Sequence, residues 1–170
     1  MTGTEHWPIQ RIVSGGQTGA DRAALDWGRK HGVPHRGWCP KGRLASDGPL
    51  PAHYQLQETE SAGYRQRTRL NVHDSDATLI LNTGVLDGGT LQTLRFARTL
   101  GKPHLVIQLD ELTLDDAAKQ VRGWLNEGRF STLNVAGPRE EKRPGIYASV
   151  IALLDSRYMG SLQETEKIVL

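Results

Sequence analysis

The sequence predicts an α/β domain with a doubly wound, mainly parallel sheet and helices on both faces. Three observations lead there. Short apolar runs alternate with segments of helical periodicity along most of the chain, the pattern of parallel strands joined by crossover helices. One run, Ala77-Thr78-Leu79-Ile80-Leu81, is almost continuously apolar, as suits a strand buried on both faces. Glycine-bearing turns follow three of the runs. In a parallel sheet these turns meet at the carboxyl edge of the strands, where such folds bind ligands.

The elements follow in order. Residues 1–8 read as a leader, with Trp7 placed to dock on the core. A strand is expected over 9–13, then a glycine-rich loop. The first helix spans 20–31, with Ala20, Ala23, Ala24 and Trp27 on one side. Arg29, Lys30 and His31 fill its last turn, and Gly32 and Pro34 end it. A second short strand is expected within 33–39. Residues 40–54 form a long loop rich in Gly and Pro, and loops of that length are often functional. An edge strand is expected over 54–58 and a helix over 61–73 with a basic face of Arg65, Arg67 and Arg69. The apolar strand 77–81 leads into a second glycine loop, 82–89. Thr90 opens a helix with Leu91, Leu94, Phe96, Ala97 and Leu100 as its apolar side, stopped by Gly101 and Pro103. Then come a strand at 104–109, a helix at 114–126 capped by Thr113, a strand at 132–135, a third turn at 137–140 and a closing helix at 144–158. One domain over 9–160 with a tail at 161–170 accounts for the chain.

Composition narrows the function classes. The chain has 170 residues, 37% hydrophobic and 24% charged, within the range of an ordered globular domain. A net charge of +2 gives no general drive toward nucleic acid. The single cysteine, Cys39, allows no intramolecular disulfide and fits a reducing compartment. No apolar run is long enough to span a bilayer, and no signal-peptide segment is visible. The expectation is a cytoplasmic protein without a membrane or nucleic-acid partner. The six histidines, His6, His31, His35, His53, His73 and His104, lack metal-ligand spacing, so no protein-ligated metal is expected.

The candidate site centres on Ser14-Gly15-Gly16-Gln17-Thr18-Gly19-Ala20-Asp21. Glycines permit positive φ and close approach of another molecule. The helix that follows offers unpaired N–H groups and partial positive charge. Together they make an anion site suited to phosphate. The spacing is not G-x-G-x-x-G and lacks the Lys-Ser/Thr of a P-loop, and a tight turn with nothing bound is the alternative. Gly15, Gly16 and Gly19 are the candidates for backbone contact, and Gln17 of the same loop joins the binding set. Thr18 either adds a hydroxyl or caps the helix. Asp21 either complements the helix dipole or serves a sugar hydroxyl or catalysis. Lys41 and Arg43 either close over an anion or are solvated loop charges. Arg67 either clamps a phosphate with two hydrogen bonds or forms a salt bridge. Gly88, Gly89 and Thr90, with Thr83 and Asp87 in the same loop, repeat the loop-to-helix logic. Arg139 in the third turn completes the set. Trp38 either stacks on a flat ring or packs in the core.

The first of these motifs resembles the signature of the SLOG superfamily of Rossmann-like proteins. The chain as a whole resembles the proposed molybdenum carrier proteins within it. The resemblance is carried by Ser14 to Asp21, Trp38-Cys39-Pro40-Lys41-Gly42-Arg43, Asn71-Val72 with Asp76-Ala77-Thr78, Gly88-Gly89-Thr90 and Gly137-Pro138-Arg139-Glu140. It implies a Rossmann-like fold, a homo-oligomer, and carriage of molybdenum cofactor, the phosphate-bearing pterin molybdopterin, or binding of a nucleotide. Any molybdenum would arrive on its cofactor. A neighbouring branch, the cytokinin-activating phosphoribohydrolases, cleaves nucleoside 5′-monophosphates and carries P-G-G-x-G-T-x-x-E with an arginine on the preceding helix. Aligned on strand 77–81, that arginine is Arg67 and the G-T is Gly89-Thr90. The leading proline is absent and the glutamate falls on Thr93, which cannot ionise to stabilise a developing ribosyl cation. Asp21 and Asp87 are the acids that could stand in for it. A third branch, the DNA-processing proteins, shares a similar first glycine loop.

Overall fold

The structure, a computed structural model, describes residues 7–159. Its centre is a five-stranded, wholly parallel sheet. The strands are β1 (Arg11–Val13), β2 (His35–Arg36), β7 (Ala77–Asn82), β8 (His104–Gln108) and β9 (Thr132–Ala136), in the order β2-β1-β9-β7-β8. The last strand in sequence is therefore central, with Ile12 opposite Leu133 on one side and Leu79 opposite Val135 on the other. β7 is paired along both edges, and all six of its residues are buried. This explains its unbroken apolar run. The order also sets the carboxyl ends of β1, β9 and β7 side by side, which brings the three glycine turns to one place.

Helices cover both faces. On one, α1 (Ala20–Lys30), α4 (Leu114–Gly128) and α5 (Ile146–Leu154) share a continuous core with the sheet. Ala20, Ala23 and Ala24 are fully buried, and small side chains let α1 lie close on the strands. Trp7 docks on this core as expected, 4.6 Å from Trp27 ring to ring. The Trp27 indole N–H donates to Asp155 (2.8 Å). On the other face α2 (Tyr64–His73) packs on α3 (Gly88–Thr99) through Val72, Phe96 and Ala97. Thr113 caps α4 by accepting from the Asp116 N–H at 3.1 Å. Residues 1–6 of the expected leader and the expected tail lie outside the described residues. Among the described residues no helix is long and apolar enough to cross a membrane.

Four expectations need correction. The strand at 33–39 is broken at Gly37, where φ is 151° and a Cβ would overlap the Ser14 carbonyl. β2 stays in the main sheet. β3 (Trp38–Cys39) turns away to pair in parallel with β6 (Gln57–Glu58), so 54–58 is no edge of the main sheet. The basic face of α2 is not one face. At about 100° per residue, Arg65 and Arg69 share the exposed side while Arg67 points the opposite way. The closing helix is α5 alone, followed by a 3₁₀ turn at Arg157–Met159.

The long loop is a folded strap. It holds a small antiparallel hairpin of β4 (Leu44–Ala45) and β5 (Gly48–Pro49) over a second apolar cluster that includes Leu25, Cys39, Leu50 and Leu56. Arg43, at φ 56°, sends its guanidinium inward to the carbonyls of Leu50, Pro51, Tyr54 and Leu56 at 2.7–3.2 Å. Arg22 grips Asp47 with two hydrogen bonds (2.9 and 3.0 Å). The hydroxyls of Tyr54 and Tyr147 both donate to Asp26 (2.5 and 2.6 Å). Burial, helped by this hydrogen bond, pushes the Tyr54 phenol up to about 12. Arg43→Ala strands several carbonyls at once. It should lower stability by about 2 kcal/mol or more in urea unfolding and raise hydrogen exchange across 44–56, with no change in exchange across 88–99.

Candidate functional site

A cleft of about 200 Å³ opens where β1, β9 and β7 end. Asn134 and Ala136 of β9 lie at its base. Gly15, Gln17 and Asp21 come from the first loop and α1, and Tyr64, Arg67, Thr68 and Asn71 from α2. Gly88, Gly89, Thr90 and Thr93 come from α3, and residues 137–139 with Lys142 from the third loop. Of the residues proposed from sequence, the structure gathers Gly15, Gln17, Asp21, Arg67, Gly88, Gly89, Thr90 and Arg139 here. Arg139 is exposed at the rim.

The first glycine loop is wired differently from an open anion nest. The Gly16 N–H donates to Ser14 Oγ (3.2 Å), Gln17 N–H to Asp21 Oδ2 (3.3 Å), Thr18 N–H to Gln17 Oε1 (3.0 Å) and Ala20 N–H to the Pro138 carbonyl (3.2 Å). Those donors are taken before any ligand arrives, and Asp21 supplies negative charge to the loop. Gly16 faces Leu50 and Leu56 of the strap, not the cleft, and Gly19 packs on the backbone of the third loop. The Thr18 hydroxyl neither caps α1 nor stands free. It donates to the Glu141 carboxylate (2.9 and 3.0 Å). Tertiary and local partners thus occupy the Gly16, Gln17 and Thr18 amides and the Thr18 hydroxyl.

Asp21 and Arg67 form a largely buried ion pair at 3.0 Å. Burial raises the Asp21 carboxyl above its usual range, and the Arg67 charge opposes that rise. Gly15 is required beneath the pair, because a Cβ there would overlap the Arg67 guanidinium. Arg67 Nε is buried without a hydrogen-bond partner.

A run of consecutive open donors lies at α3. Asp87 sits at the N-cap position with extended backbone (φ −145°, ψ −178°), yet its side chain makes no capping bond. Its carboxylate turns to Lys142 Nζ at 2.5 Å and Arg143 at 3.8 Å. Among the described residues, the N–H groups of Gly88, Gly89 and Thr90 have no hydrogen-bond partner. Gly89 borders open space, and Lys142 Nζ lies 2.8 Å from where a Gly88 Cβ would be. Arg143 ties the second loop to the third by donating to the carbonyls of Thr83 (2.9 Å) and Val85 (3.2 Å). Thr83 thus serves through its backbone, outside the cleft.

Two further candidates lie elsewhere. Lys41 is exposed on the strap, and the Arg43 guanidinium is held inside it. Trp38 donates its indole N–H to Asp74 (2.7 Å) and borders a separate cleft of about 430 Å³ with Arg36, Gln55 and Gln57. Sequence reasoning missed Lys142, Asn71 and Asn134. Lys142 lies two residues beyond the marked third turn, within a cluster of charges that reads as surface. Asn71 is fixed by two hydrogen bonds to the Trp38 backbone (2.7 and 3.0 Å). Asn134, buried in a strand, carries no local signal. Thr93 lines the cleft with its hydroxyl donated to the Gly89 carbonyl (3.0 Å). Among the described residues no three His, Cys, Asp or Glu side chains gather as a metal cluster.

Fold and cleft define a Rossmann-like α/β protein with a polar, glycine-lined crevice at its strand ends. The chain belongs to the circularly permutated YpsA SLOG family, whose sequence profile matches residues 12–158. It is also similar to the crystal structure of a proposed molybdenum carrier protein from Syntrophus aciditrophicus SB, with 48% identity and a TM-score of 0.86, over 89% of this chain and 95% of that one. No curated protein matches the chain.

Replacing Arg67 with methionine leaves Asp21 buried without its counter-charge. The expected loss is about 3–5 kcal/mol at pH 7. Asp21 would then ionise at still higher pH than in the parent, while the unfolded chain ionises at the ordinary carboxylate value. Native protein binds the extra proton between those two values, so stability falls as pH rises through that window. Denaturation of Arg67→Met at pH 5 and pH 7 should therefore show a smaller loss at pH 5.

Proposed function

We propose that the cleft binds the phosphate of a small phosphorylated molecule, a nucleotide or a pterin, and that the protein acts as its carrier. The observation that carries this reading is the uncapped N-terminus of α3. Three unpartnered N–H groups, the positive end of the helix dipole and the Lys142 ammonium converge on one glycine-walled place. That is the arrangement a phosphate dianion needs. Glycines at 88 and 89 leave the backbone bare for close approach.

A pterin cofactor enters through the likeness to the proposed molybdenum carrier. The donors at α3 fit its phosphate, which Lys142 and the N–H groups of Gly88, Gly89 and Thr90 would hold. Cys39 is buried among the strap residues, away from the cleft. No cysteine is among the residues lining the cleft, so any metal would arrive already bound to its cofactor. Cleavage of a nucleotide is the less favoured reading. Thr93 stands where the phosphoribohydrolases have glutamate, and Asp21, a carboxylate that lines the cleft, is paired with Arg67.

Titration calorimetry with inorganic phosphate, adenosine 5′-monophosphate and molybdopterin tests the reading. At least one should bind. Lys142→Ala should weaken it roughly tenfold, the scale of one charge-assisted contact. Gly89→Val should abolish it with little change in unfolding temperature, since Gly89 borders open space. Failure of the parent protein to bind any of the three, or binding indifferent to both variants, would overturn it.

A further inference from the structure

Asp87 is a capping residue that does not cap. Its backbone is extended, as at a helix N-cap. From that position an aspartate ordinarily accepts the second or third N–H of its helix. Here the carboxylate is drawn aside by Lys142 and Arg143, and three amides are left open. Rotation of one short side chain is enough to carry the carboxylate from the lysine to those amides. Both positions deny an anion something it needs, the lysine in one case and the amides in the other. The side chain is about half exposed (48%), so packing does not lock it and its ion pairs with Lys142 and Arg143 are what hold it. The Lys142 hydrogen bond holds the Asp87 carboxyl below its usual range, so it is charged throughout the neutral range.

We propose that Asp87 is a built-in competitor for the anion site, which keeps binding weak enough for the ligand to be released. This rests on the phosphate-binding reading of the α3 terminus. An arriving phosphate takes Lys142 from Asp87 and displaces the carboxylate toward solvent and Arg143. When the ligand leaves, Asp87 re-forms its pair with Lys142. Repulsion between the Asp87 carboxylate and a bound phosphate favours release. The effect on affinity is the population of the blocked states plus the repulsion between carboxylate and bound phosphate. Both vanish when the charge is removed.

The prediction has the opposite sign from the usual loss on mutating a site residue. Asp87→Asn and Asp87→Ala should each bind adenosine 5′-monophosphate and inorganic phosphate more tightly, by about fivefold or more at low salt. The gain should shrink toward parity near 1 M salt, where charges are screened within about 3 Å. Dissociation should slow by a similar factor in stopped-flow exchange. If Asp87 merely shapes the loop, both variants would bind the same or more weakly, and the salt dependence would match that of the parent; either result overturns the inference while leaving the phosphate site intact. If the parent and both variants alike bind neither probe nor molybdopterin, the phosphate reading falls and this inference with it; if only molybdopterin binds, and the variants bind it no more tightly than the parent, this inference alone falls.

Discussion

The placement of β9 between β1 and β7 is the constraint on which the rest depends. A strand paired along both edges and covered on both faces has no water to satisfy its backbone, so its pairing is obligatory. Leu133 and Val135 of β9 and Leu79 and Leu81 of β7 are fully buried in one core, each worth about 1.5–3 kcal/mol relative to exposure. Because the three central strands are parallel and adjacent, their carboxyl ends open together. The cleft follows from that. The loops after β1, β9 and β7 approach one another without any sequence motif linking them, and Arg143 and the Pro138 carbonyl fasten them.

Within the cleft the electrostatics are arranged as two opposed halves. On the α1 side, the Gln17 amide and Arg67 already have an internal anion in Asp21, and that pair is buried. On the α3 side, the amides are free and the lysine is held by an exposed carboxylate. Water screens the second pair and not the first. The first half is therefore rigid architecture and the second is the half that can exchange partners. A glycine loop at the start of a helix and a glycine loop at the start of another helix look alike in sequence. They differ in whether a neighbour has reached the donors first.

Much of the fold was legible along the chain. The continuous apolar run at β7, the small-residue face of α1 with its Gly32-Pro34 stop, and Thr113 before α4 each carry a local physical signal, and each reads correctly. The strap was not legible, because its order comes from the Arg43 side chain turning onto the carbonyls of its own loop and from Arg22 and Tyr54 meeting carboxylates 25 and 28 residues away. The break at Gly37 was hidden for the same reason, since it is imposed by the Ser14 carbonyl of a neighbouring strand.

By itself the sequence determined the α/β class, the crossover helices and the meeting of three glycine turns, because hydrophobic period, capping residues and turn residues act over a few positions. Tertiary structure alone decided the strand order, the burial of Arg67 against Asp21 and the recruitment of Lys142. It also decided that the loop before α3 keeps a run of consecutive open donors. These depend on which groups come within hydrogen-bond reach across tens of residues, and no local pattern in the chain records that distance.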